Sequence, residues 1–184
     1  MNESGRRFAE FLGKLDRAAL AQLRRVPLEA AHADARVLRY LGGWADDPSA
    51  PAAMRTPAVV AVLYARHRRH EFGVPVGEAI RRLGRDGALD RRFERLVRAD
   101  FATLVGELAQ ILTRLANEEI PLDYGRLHQD LETIERRERL GQVNLPDPRA
   151  AWAGSYYRYG KAEETEEIGE RTTKESSNEE EERV

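Results

Sequence analysis

Arginine is the residue type whose number and spacing in this chain point most directly to chemistry. The 184 residues include 27 arginines and only three lysines, Lys14, Lys161 and Lys174. A guanidinium is a planar fork that meets phosphate oxygens two at a time, which an ammonium cannot do. On a helical wheel with Leu89 at zero, Arg91, Arg95 and Arg98 fall at about 200°, 240° and 180°. Leu89, Phe93, Leu96 and Val97 occupy the opposite side, from about 340° to 80°. Three guanidinium groups therefore share the outer face of one amphipathic helix, with Arg92 on its flank. Arg81, Arg82 and Arg85 directly precede that helix, and Arg24 and Arg25 close an earlier one. Such a surface suits a phosphate backbone, where neutralised charge supplies the affinity and no base need be read. The alternative is a solvated helix face whose charge is offset by Asp86, Asp90 and Glu94.

Other chemistries find less support. With no cysteine, the chain has no disulfide, thiolate metal site or cysteine nucleophile. Phosphate-loop, dinucleotide-binding, zinc-protease and serine-hydrolase motifs are missing from the sequence. Five serines are present, and neither Ser49 nor Ser155 has a base nearby in sequence. The best metal candidate is His67 with His70 and Glu71, an i, i+3 pair of imidazoles. Zinc needs further ligands, and the adjacent Arg66, Arg68 and Arg69 repel a cation. An exposed basic segment is the simpler account of that cluster. The expectation is a non-enzyme without cofactor or metal. Tyr156, Tyr157 and Tyr159 are placed either to stack on bases or to dock a last helix.

The elements that must carry these side chains read as helices. Val, Ile and Thr together number 23, too few for a large sheet. Phe8, Phe11, Leu12 and Leu15 follow one helical stripe, and Asp16 is placed to cap a second helix through Leu20 and Leu23. A third spans about 28–41 and stops at Gly42-Gly43. Proline and aspartate make 45–56 a loop, after which Thr56-Pro57 reads as a cap and first helical residue. That helix holds Val59 to Tyr64 and ends near Gly73. A short helix follows Pro75, and Gly84 closes it. Leu89 to Val97 is the next stripe. Phe101, Leu104, Val105, Leu108, Ile111, Leu112 and Leu115 form the longest. Asp123 caps a helix through Leu127, Leu131 and Ile134, and a last short helix presents Trp152, Tyr156 and Tyr159. The fold class is all-α, a compact bundle of about eight to nine helices with no sheet.

Charge divides the chain. Residues 161–184 carry ten Glu against four basic residues, a balance of −6, while the first 160 residues carry +4. The glutamate-rich segment has too little apolar surface to offset its ordering entropy and is expected to be disordered. The body, 1–160, is read as one unit or as two helical halves meeting near 73–87. The N-terminus lacks the apolar stretch of a signal peptide. No apolar run approaches the roughly 20 residues of a membrane span, so a cytoplasmic protein without membrane contact is expected.

Specific residues also resemble a known family. Ala19-Leu20-Ala21-Gln22-Leu23-Arg24-Arg25 and the block from Gly77 to Leu131 are similar to the small subunit of type I-E Cascade, the CasB family of the CRISPR surveillance complex. The telling pieces are Ala88-Leu89-Asp90-Arg91-Arg92-Phe93, Leu96-Val97-Arg98-Ala99-Asp100 and Pro121-Leu122-Asp123-Tyr124 with Asp130-Leu131. Gly43-Trp44, Trp152 and Tyr156-Tyr157 also fit, so the resemblance covers about residues 6–159. It implies an all-α, non-catalytic protein arranged as a head-to-tail pair with a second copy of itself. The implied protein partners are the repeated backbone subunits and the large subunit. Guide RNA, target DNA and the displaced strand of the R-loop are the implied nucleic-acid partners. By matching position it implies Arg24, Arg25, Arg91, Arg92 and Arg98 as nucleic-acid-facing residues, followed by Arg81, Arg82 and Arg85. Arg95 rests on helical geometry alone. The acidic segment and the Arg66–His70 cluster depart from the family pattern. The competing reading is a stand-alone helical adaptor that binds protein through its C-terminal aromatics, with the arginines merely solvated.

Overall fold

The structure is a computed structural model that describes residues 3–42, 44, 51–84 and 86–158. The expectations for Gly43, the 45–50 loop, Arg85, Tyr159 and the acidic segment 161–184 lie outside the described residues. Nine α-helices are present among the described residues, in the order α1 (Glu3–Gly13), α2 (Arg17–Leu23), α3 (Ala35–Leu41), α4 (Pro51–His67), α5 (Val76–Arg81), α6 (Gly87–Arg98), α7 (Phe101–Asn117), α8 (Tyr124–Leu140) and α9 (Pro148–Tyr157). A 3-10 helix, Leu28–Ala33, lies between α2 and α3. These residues form no strand, only an isolated bridge between His70 and Leu122.

Helix α4 is the axis of the body. Every residue from Ala58 to Ala65 is buried, and α2, α3, α7, α8 and the 3-10 helix all pack on it. A helix that is apolar on every side has no place except the interior. This burial explains a departure from the sequence reading. Thr56-Pro57 does not start α4; the helix begins at Pro51 and carries Pro57 inside it. Proline there removes one backbone bond, but the packed surroundings hold the turn in place. Thr56, instead of capping, turns its buried hydroxyl to donate to Glu135 Oε2 of α8 at 2.6 Å.

That contact sets a testable cost. Thr56→Val keeps the shape and leaves the buried Glu135 carboxylate short of a donor, and a hydrogen bond to a charged group is worth about 1.5–3 kcal/mol. A chain of this length should then melt roughly 3–12 °C lower. Thr56→Ser, which keeps the hydroxyl, should recover most of the loss in the same thermal melt.

Two other elements end differently from the sequence expectation. The helix expected over 28–41 is divided at Asp34, whose side chain accepts from Arg36 N at 2.8 Å and so caps α3. Aspartate competes for local backbone donors and is better placed at a cap than inside a helix. Helix α4 stops at His67 rather than near Gly73, because Arg68 adopts φ 61. The chain then runs alongside the α7–α8 connection: Leu122 N donates to Arg69 O at 3.1 Å and Asp123 N to Val74 O at 2.8 Å.

The C-terminal elements build the support for α6. Asp86, Asp100 and Asp123 cap α6, α7 and α8, accepting from Leu89 N, Thr103 N and Arg126 N. Helix α9 is docked by its aromatics. Trp152 Nε1 donates to Asp130 Oδ2 at 2.6 Å, and the Tyr156 ring stacks on Phe93 with centroids 4.1 Å apart. Arg149 draws the ends together, donating to Ala99 O at 2.9 Å and to Glu138 Oε1 at 2.5 Å. Glu138 in turn accepts from Phe101 N at 2.7 Å.

Candidate nucleic-acid interface

Helices α6 and α7 form an antiparallel hairpin turned at Ala99-Asp100. Leu89, Phe93 and Leu96 point into the core with no exposure, so the outer face of α6 is fixed by elimination. Along it lies an open groove of about 460 Å³ lined by Arg91, Glu94, Arg95, Arg98, Ala99, Thr103 and Glu107. The three arginines grouped by helical geometry share this groove. Arg91 and Arg98 are exposed and make no ion pair among the described residues. Arg95 is 58 % exposed and lies 3.5 Å from Glu107 across the hairpin.

The acids near this face are partly engaged elsewhere. Asp86 is the N-cap of α6, and the backbone bond from Leu89, ahead of the nearby Arg114 and Arg91 charges, holds its carboxyl below the usual range. Asp90 accepts the Tyr156 hydroxyl at 2.6 Å, which turns it toward α9. Glu94 and Glu107 remain in the groove, so the local balance is three guanidinium groups against two carboxylates. Thr103 and Glu107 were not singled out by the sequence reading. Their i, i+4 spacing opposite the apolar stripe of α7 marks an outer face but not which helix it meets.

The remaining arginines fall elsewhere. Arg92 is half-buried on the flank of α6. Arg81 ends α5, and Arg82, its C-cap residue, pairs with Glu78 at 2.5 Å. Arg24 and Arg25 follow α2, which packs on α3 and α4, whereas α6 packs on α7 and α9. Arg24 Nε donates to Ala65 O at 3.1 Å, tying the end of α2 to α4. Among the described residues, the groove gathers Arg91, Arg95 and Arg98 and leaves Arg24, Arg25, Arg81, Arg82 and Arg92 on other surfaces.

His67 and His70 are structural, while Arg68 and Arg69 between them are exposed. His67 is 5 % exposed. Its Nε2 lies 2.8 Å from Ile120 O and its Nδ1 2.9 Å from the Tyr124 hydroxyl. Burial first, then the Arg69 charge, lowers its pKa against the opposing Ile120 bond, which favours a neutral ring. Nε2 then carries the proton donated to Ile120 O, and Nδ1 accepts from Tyr124. His70 accepts from Tyr124 N at 3.2 Å. No group of three or more metal-type side chains is assembled among the described residues.

Two of the C-terminal aromatics are likewise committed. Trp152 and Tyr156 are fully buried, and Tyr157 is 45 % exposed. An adaptor surface built on Trp152 and Tyr156 would require undocking α9. No helix among the described residues is long and apolar enough to cross a membrane.

Fold and groove together define an all-helical body that displays a basic, solvent-facing helix hairpin. A family model described as CRISPR-associated protein Cse2 matches residues 19–157. The chain belongs to this family, the Cse2/CasB small subunits of type I-E Cascade. Comparison with curated proteins finds no match. Among solved structures the chain is similar to CasB from M. ruber, with TM-score 0.71 and 25 % identity over 90 % of this chain and 98 % of that one. It is also similar to CasB from Thermus thermophilus, with TM-score 0.67 and 27 % identity over 85 % and 99 % of the two chains. For CasB from Thermobifida fusca the TM-score is 0.60, with 26 % identity over 84 % and 95 %. The expected family and the all-α class are both borne out.

Proposed function

We propose that this protein is a non-catalytic, nucleic-acid-binding structural subunit of a cytoplasmic CRISPR interference complex. In this reading its arginine surface steadies guide RNA–target DNA pairing and the displaced strand of the R-loop. The observation that carries the reading is the α6–α7 groove. Among the described residues, Arg91 and Arg98 stand there without an ion pair, and Arg95 has only a long one. A single strand laid along α6 places successive phosphates against guanidinium forks spaced by one turn. Family position adds Arg92, Arg24 and Arg25 as further contacts, followed by Arg81, Arg82 and Arg85. The partners are the repeated backbone subunits, the large subunit and a second copy of the chain set head to tail.

The test is charge reversal of Arg91, Arg95 and Arg98 to Glu in one chain. All three point away from the core, so thermal stability should move by under about 0.5 kcal/mol per substitution. Single-strand affinity at about 50 mM salt should fall by about two orders of magnitude. The slope of log affinity against log salt should become shallower by about 2, from roughly 0.7 per lost phosphate contact. Unchanged affinity with unchanged slope would remove this face from the function. Single variants would separate Arg91 and Arg98, supported by family position, from Arg95, supported by geometry.

A further inference from the structure

We propose that the glutamate-rich segment 161–184 of the same chain docks on the α6–α7 arginine groove and competes there with nucleic acid. The inference rests on the reading of that groove as an anion-binding face and adds its intramolecular occupant.

Three observations converge. First, the last described residues, at the end of α9, lie beside α6. Tyr156 stacks on Phe93 of α6 at 4.1 Å, the Tyr157 ring meets Phe93 edge-on at 5.7 Å, and the Tyr156 hydroxyl bonds Asp90. Second, the path length fits. Phe93 is on the inner side of α6, so the chain must pass halfway round a helix about 11 Å across, a path of about 17 Å. About five extended residues cover that distance. Counting on from Arg158 brings the chain to Glu163 and Glu164, followed by Glu166 and Glu167. Third, the charges complement each other. The segment carries −6, and the exposed Arg91 and Arg98 make no ion pair among the described residues. Carboxylates are bound by the same bidentate fork that binds phosphate.

Tethering makes weak contacts count. A short flexible tether gives an effective concentration in the millimolar range, so an ionic contact of millimolar affinity is substantially occupied. A polyanion that neutralises more arginines at once still displaces it. The device lowers non-specific association while leaving high-affinity engagement inside the complex available.

The experiment has two arms on the full chain. In the first, NMR signals of residues 159–184 are compared between the parent and an Arg91→Gln/Arg95→Gln/Arg98→Gln chain at about 50 mM salt, where surface charges remain coupled. The tail signals should shift in the variant, shift the same way when the parent is taken to high salt, and be indifferent to protein concentration. Arg7→Gln on α1 should leave them unchanged. Identical tail signals in parent and triple variant would overturn docking, and shifts that grow with protein concentration would overturn the intramolecular form in favour of a second copy. In the second arm, the ten glutamates of 161–184 are changed to Gln and binding of an oligo-dT single strand is measured. The variant should bind about three- to tenfold tighter at low salt and equally at high salt. Equal affinity at low salt would overturn the competition. If the strand binds neither chain, the nucleic-acid reading and the competition fail while the first arm still decides the docking.

Discussion

Gly77→Ala should lower the melting temperature by about 2–12 °C, whereas the same change at Gly154 on the facing helix should raise it slightly. A Cβ at Gly77 would sit 2.0 Å from Trp152 O and 2.3 Å from Ser155 Oγ, so α5 and α9 touch through backbone at this point. A carbonyl cannot rotate away as a side chain can, so one helix must shift. Overpacking of this kind costs about 1–3 kcal/mol, or about 2–4 °C per kcal/mol for a chain of this size. The shift would also loosen what α9 holds: Trp152 on Asp130, and Tyr156 on Phe93 and Asp90. At Gly154 a Cβ meets nothing within 4 Å. The gain of about 0.5–1 kcal/mol from removing a helical glycine should therefore appear there undiminished. Opposite signs for one substitution on two apposed helices would establish the close approach; equal signs would refute it.

Stability against pH should be governed by two side chains on α8 acting in opposite directions. His128 is 4 % exposed, lies tilted against the Phe8 ring at 4.2 Å between centroids, and has no hydrogen-bond partner on either ring nitrogen among the described residues. Burial lowers its pKa from 6.5 to about 4. The folded chain then binds fewer protons than the unfolded chain between those values. Its contribution is full above pH 6.5 and is lost as pH falls through 4, about 3 kcal/mol in all. Asp130 behaves the other way. Burial raises its pKa from 3.8 to about 6 against the lowering effect of the Trp152 bond. Its contribution is present below pH 3.8 and is lost as pH rises through 6, again about 3 kcal/mol. His128→Phe should gain stability relative to the parent progressively from pH 7 down to pH 4. Asp130→Asn should gain it from pH 4 up to pH 7. Melting curves across that range, read as differences from the parent, check both signs. A pH-independent difference for either variant would show that its parent side chain does not titrate in the fold.

Much of this protein was legible along the chain. The stripes of α1, α6, α7 and α8 were readable because an amphipathic helix repeats its apolar residues at its own period, whatever it packs on. Asp16 and Asp123 were recognisable as caps because capping is satisfied within three residues. The same period placed Arg91, Arg95 and Arg98 on one outer face. Where the reading failed, a distant partner decided. Pro57 lies inside α4 because the burial of Ala58 to Ala65 holds the helix together across it, and Thr56 serves Glu135, 79 residues away. Asp34 took a cap that an unbroken apolar pattern concealed. His67 and His70 looked like an exposed pair until Ile120, Leu122 and Tyr124 were brought against them. The groove itself needed Thr103 and Glu107 of α7 beside α6, and the docking of α9 against α6 needed Tyr156 on Phe93. Local periodicity and capping depend on neighbours within a turn or two, so they are written in the order of residues. Which faces meet depends on contacts between residues far apart in the chain, and those are set by packing the whole body at once.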